Sequence, residues 1–112
     1  MIRAIYEQLH SLGLTSNYSG FFYTASAVRL IVDDPPRLTH VTRQVYPEIA
    51  RQYKTSAQAV ERNIRTAINV AWTKNPTRIT ALAHHSIPVK PTASQFISIL
   101  AHELLDCHSP AS

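Results

Sequence analysis

A chain of 112 residues, 45% hydrophobic and only 16% charged, has the length of one domain and too much apolar content for intrinsic disorder. Two glycines exclude a Gly-rich phosphate loop and disfavour an all-β fold, whose tight turns need positive φ. One cysteine, Cys107, excludes an internal disulfide, and a formal charge of +4 with a pI near 9.6 points to a polyanionic partner rather than to a fold.

Ile2, Ile5, Leu9 and Leu12 recur at helical spacing over residues 2–12, and Gly13 follows as a stop. Residues 16–20 read as a loop. Phe21 to Val32 reads as a largely buried helix with Phe21, Ala25, Val28 and Ile31 or Val32 on one side. Asp33-Asp34-Pro35-Pro36 ends it, because the residue before a proline avoids the α region. Thr39 to Tyr53 reads as a third helix with Val41, Val45, Ile49 and Tyr53 four apart. Pro47 inside it must kink the helix or open a new first turn.

Lys54 and Thr55 form a short connection. Thr55 with Gln58 matches a capping box that starts the next helix, at about residues 56–74. Its inward stripe is Val60, Ile64, Ala67, Ile68 and Ala71, and its opposite face carries Gln58, Arg62, Thr66, Asn69 and Thr73. Asn75-Pro76 ends it. Thr77 to about His84 is a short helix, Ile87 to Pro91 an extended connection, and Thr92 with Gln95 a second capping box. That box opens a last helix with Phe96, Ile99 or Leu100, and Leu104 inward. The expectation is an all-α fold of about six helices.

The charge is uneven. Residues 51–74 hold Arg51, Lys54, Arg62, Arg65 and Lys74 against Glu61 alone, whereas residues 1–50 balance to zero. Two helices joined by two or three residues also match a helix-turn-helix, which sets its second helix in the DNA major groove. Ile49, Tyr53, Val60 and Ile64 would form the seam between them, with Ala50 where they cross. The turn lacks glycine, so Lys54 must adopt the turn conformation itself. Arginine pairs with guanine, glutamate accepts from cytosine, and glutamine or asparagine pairs with adenine. Gln58, Glu61, Arg62 and Arg65 are therefore the candidate base contacts. Lys54, Thr55, Ser56, Asn69 and Lys90 are the candidate backbone contacts, with Thr55 and Ser56 offering hydroxyls and helix-start amides.

Leu9-His10-Ser11-Leu12-Gly13-Leu14, Gly20-Phe21-Phe22-Tyr23, Val45-Tyr46-Pro47-Glu48-Ile49-Ala50, Ala59-Val60-Glu61-Arg62-Asn63-Ile64-Arg65, Ala71-Trp72 and Lys90-Pro91-Thr92 through Phe96-Ile97 together carry a resemblance. They are similar, in order and over nearly the whole chain, to the C-terminal DNA-binding effector domains of the stage-zero sporulation protein A response regulators of Firmicutes. The resemblance implies a six-helix effector fold with a helix-turn-helix and binding to a short asymmetric DNA box. It also implies a dimer on tandem boxes and contact with RNA polymerase through its sigma subunit. Glu61 and Arg62 fall on the family's groove-reading positions. Arg65 falls on a basic position open to base or backbone contact. Ala59 replaces a family arginine, and Gln58 a small hydroxyl residue. These regulators begin with a receiver domain, for which 112 residues leave no room. The expectation is a single effector domain over residues 1–112, cut out or standing alone.

Other signals are weaker. His102, Asp106, Cys107 and His108 would need His84 or His85 to complete a tetrahedral zinc site, and a polar helix end with a tail accounts for them as well. His84-His85 reads as a cap of the fifth helix. Trp72, the tyrosines and Phe21-Phe22-Tyr23 read mainly as core, with one of that aromatic trio facing outward. No cofactor and no enzymatic activity are expected. No apolar run approaches the ~18–20 residues that span a bilayer, and the first residues lack a signal-peptide core, so a cytoplasmic, membrane-free setting is expected. The rival function is a protein-interaction module on the same fold that has lost operator specificity.

Overall fold

The computed structural model describes residues 2–107. It is all-helical over these residues, with α1 (Ile2–Ser11), α2 (Ser19–Asp33), α3 (Tyr46–Gln52), α4 (Ala57–Lys74), α5 (Pro76–Ala83) and α6 (Ala93–Cys107). α2 is apolar over more than one stripe: Phe21, Ala25, Val28, Thr24, Ala27 and Ile31 are all buried. A helix so patterned belongs at the centre. It accordingly touches α1, α3, α4 and α6. Ile31 and Leu100 take the inward places left open between neighbours in α2 and α6.

α2 begins two residues before the expected start and takes Gly20 out of the loop. A Cβ on Gly20 would lie 2.2 Å from the carbonyl oxygen of Asn63 and 3.0 Å from the Cβ of Ala67. The missing side chain lets α4 cross against the α2 backbone. Gly20→Ala is therefore expected to lower stability by roughly 1–3 kcal/mol through overpacking. Helix propensity alone predicts a gain of about 1 kcal/mol, so the sign of the Tm shift decides between close approach and propensity.

The third helix of the sequence reading is broken. Pro35–His40 is a 3₁₀ segment and Val41–Val45 a π-helical turn, in which the Tyr46 N–H donates to the Val41 carbonyl. α3 then starts with Pro47 in its first turn. A proline has no N–H and its ring clashes with the carbonyl four residues back, so a new helix opens there. Val41, Val45 and Ile49 nevertheless all stay buried.

Helix ends follow local chemistry. At the end of α1 the Leu14 N–H donates to Leu9 and the Gly13 N–H to His10, with Gly13 at φ 88, the left-handed closure that favours glycine. The same end is held from α4 and α5. Lys74 Nζ donates to the Gly13 carbonyl, Asn75 Nδ2 to the Ser11 carbonyl and Arg78 Nε to Ser11 Oγ. The expected box at α6 is present, with Thr92 N–H to Gln95 Oε1 at 3.0 Å and Gln95 N–H to Thr92 Oγ1 at 3.2 Å. His84 closes α5 at φ 62 and bonds Glu103 across to α6 at 2.7 Å. Among the described residues no helix is long and apolar enough to cross a membrane.

Candidate nucleic-acid interface

α3 and α4 are joined by Tyr53–Ser56. The Thr55 N–H donates to the Ala50 carbonyl at 2.9 Å and the Lys54 N–H to Arg51, with Lys54 left-handed at φ 55. This is the reversal a helix makes at a C′ residue, and the lysine takes the place usually given to glycine. The seam is buried, with Ile49, Val60 and Ile64 inaccessible and Ala50 beside them. Tyr53 does not belong to it. Helix α3 has ended before Tyr53, so counting four onward from Ile49 no longer gives its direction. The residue is 44% exposed, its ring meets Tyr23 edge-on and its hydroxyl bonds that of Ser26.

The start of α4 also differs from the expected box. Ser56, not Thr55, is the N-cap, and its Oγ accepts from the Ala59 N–H at 3.1 Å. Gln58 is exposed in the first turn and caps nothing. Thr55 uses its own N–H on Ala50. The Ser56 hydroxyl keeps its proton to donate, and the first-turn amides of Ala57 and Gln58 have no intrahelical acceptor.

The buried face of α4 is Val60, Ile64, Ala67, Ile68 and Ala71. On the opposite face Gln58, Arg62, Arg65, Thr66 and Asn69 fall within an arc of about 100°. These five and Lys90, which arrives from the connection before α6, line one shallow recess of about 530 Å³. Six sequence-expected or neighbouring polar groups are thus brought together. Lys54, Thr55 and Ser56 stand at the turn beyond it. Glu61 sits on the flank and pairs with Arg65 at 2.8 Å, Arg65 exposed and Glu61 partly so. An exposed pair of this kind is worth under ~1 kcal/mol, so either partner is easily released. Asn63 and Thr66 spend their donors on the helix, to the carbonyls of Ala59 and Arg62.

Among the described residues the acidic groups in ion pairs engage Arg29, Arg37, Arg51, Arg65 and His84. Arg62 and Lys54 have no carboxylate partner among the described residues. The excess positive charge of the 51–74 stretch is therefore displayed at the turn and on the outer face of α4. Behind that face, burial raises the pKa of the Tyr46 phenol, and the nearby Glu61 carboxylate adds to the rise. The phenol remains neutral and packs as core.

Two features escaped the sequence. One is the bond from Lys90 to Asn69; both residues stood out, but nothing in the sequence links positions 21 apart. The other is the docking of Lys74, Asn75 and Arg78 on the end of α1. Of the histidine and cysteine cluster, the side chains of Asp106, Cys107 and His108 lie outside the described residues. Among those described, no group of three His, Cys, Asp or Glu is placed to hold a metal.

The profile of the family described as "Sporulation initiation factor Spo0A C terminal" matches residues 5–104, a span that takes in all six helices but the last turn of α6 and the first of α1. With a helix-turn-helix whose second helix shows a basic outer face, the chain belongs to this family of DNA-binding domains of a sporulation regulator.

Proposed function

We propose that the chain binds double-stranded DNA in a sequence-specific way and regulates transcription, with the outer face of α4 in the major groove. The observation that carries this reading is the cluster of Gln58, Arg62, Arg65, Thr66, Asn69 and Lys90 on one exposed recess. Arg62, central and without an ion-pair partner among the described residues, is the guanine reader. Gln58 and Glu61 read beside it. Ser56, Thr55 and Lys54 meet phosphates at the helix start, where amides and positive charge coincide. Residues 1–112 act as one effector domain, with RNA polymerase, through its sigma subunit, and a second copy on tandem boxes as further partners.

A second reading, a protein-interaction module, draws on Ala59 at the position of a family arginine. It also draws on an apolar groove by α6 that includes Ile87, Ile99 and Val89, the last 70% exposed. Salt separates the two. Duplex binding releases counterions and weakens steeply as salt rises, and a module without operator binding gives no such titration.

Arg65, at a position open to base or backbone contact, is assigned to a phosphate, so Arg65→Ala and Lys54→Gly are expected to weaken all duplexes alike, each lowering the log-affinity against log-salt slope by about one. Glycine is the substitution to use at position 54, because φ 55 strains a side chain by roughly 1–2 kcal/mol. The variant then keeps or gains thermal stability while losing affinity. Unchanged slopes would put both residues away from the DNA.

A further inference from the structure

The ammonium of Lys90, carried by the connection before α6, donates to the side-chain oxygen of Asn69 on α4. An ammonium has three N–H donors and no acceptor, so the end of the amide it meets is Oδ1. Asn69 is left with its Nδ2 as the free end. Pairing with adenine requires both ends, Nδ2 donating to N7 and Oδ1 accepting from N6. Oδ1 keeps a second lone pair, but the Lys90 ammonium bonded to it sets a positive charge where the N6 amino group, itself a donor, would have to approach, so that pairing is disfavoured. Lys90 and Asn69 together present mainly donors, the Nδ2 group and the remaining ammonium N–H groups, with a positive charge behind them.

Position agrees with chemistry. Asn69 stands seven residues beyond Arg62, ~10 Å along the helix axis, and the major groove is ~12 Å wide. With Arg62 at the floor of the groove, Asn69 and Lys90 reach its wall, where the phosphates are. Both residues are exposed and line the same recess as Arg62 and Arg65.

We propose that Lys90 and Asn69 form one phosphate-binding unit, in which Lys90 supplies the charge and turns the Asn69 amide so that its Nδ2 meets the same phosphodiester. Asn69 reads no base. The unit depends on the reading of α4 as the groove-reading helix. It ties that helix to the connection before α6, so the grip on DNA uses two separate parts of the fold.

The test uses the intact chain and the duplex it selects, with one phosphate at a time replaced by a neutral methylphosphonate. One replacement is expected to weaken the intact protein at least about tenfold, as loss of a charged hydrogen bond does, and to leave Lys90→Met unaffected. Lys90→Met lowers the salt slope by about one. Asn69→Leu weakens every duplex by roughly two- to twelvefold, with base preferences unchanged and the salt slope kept. The double variant loses less than the product of the two single losses, because the groups share one phosphate. A base position relaxed by Asn69→Leu would overturn the proposal by showing a base contact. An unchanged salt slope and methylphosphonate profile for Lys90→Met would overturn it by placing Lys90 off the DNA. An intact chain that binds no duplex at all would instead fail the reading of α4, and this unit with it.

Discussion

Val60→Asp is expected to leave the chain without a cooperative thermal transition. Val60 is wholly inaccessible at the seam of α3 and α4, with Ile49 and Ile64 equally buried there. Its replacement forfeits the ~1.5–3 kcal/mol of burying a valine. A carboxylate left there without a partner adds a penalty of several kcal/mol. Together these take most of the ~5–15 kcal/mol by which a domain of this size is stable. Circular dichroism on heating measures the outcome. A sigmoidal melt near the wild-type temperature would show that the phase of α4 is wrong, and with it every residue placed on the outer face.

Arg62→Ala is expected to do the reverse, leaving the fold intact and removing sequence preference at one base pair. The side chain is exposed opposite the buried stripe, and alanine is a good helix former, so the melt should match the wild type. Loss of one bidentate guanine contact weakens the preferred duplex by roughly 1–3 kcal/mol. Titration against that duplex and its single-base variants reads both effects. The variant should bind all four base pairs at one position alike. Undiminished discrimination at every position would move the reading function to other residues.

The contrast between these two variants rests on what the sequence made legible. The stripe of α4 was readable because a helix long enough for five turns repeats its periodicity several times, and the expected five residues are the buried ones. The outer face follows from the same phase. Where one residue decides the geometry, the reading failed or stayed open. Gly20 reads as loop punctuation, and only the approach of Asn63 explains a glycine inside α2. Pro47 allows a kink or a new start, and the π-helical turn before it shows how the chain made the second choice. Thr55 with Gln58 has the spacing of a capping box, yet the left-handed Lys54 moves the start one residue on, to Ser56. Tyr53 keeps the spacing of the seam but not its direction, because spacing predicts direction only while the helix continues. The recess was half legible: its α4 residues come from periodicity, whereas Lys90 is brought to it by the path of the connection before α6.

Selection of bound sequences from a random pool of duplexes, with the intact chain at one fixed salt concentration, tests the central claim most directly. The outer face of α4, placed in the major groove, predicts enrichment of one short asymmetric box with guanine at the position met by Arg62, and an affinity for that box that falls steeply as salt is raised. A pool that emerges unenriched, or that binds with no dependence on sequence, would contradict it.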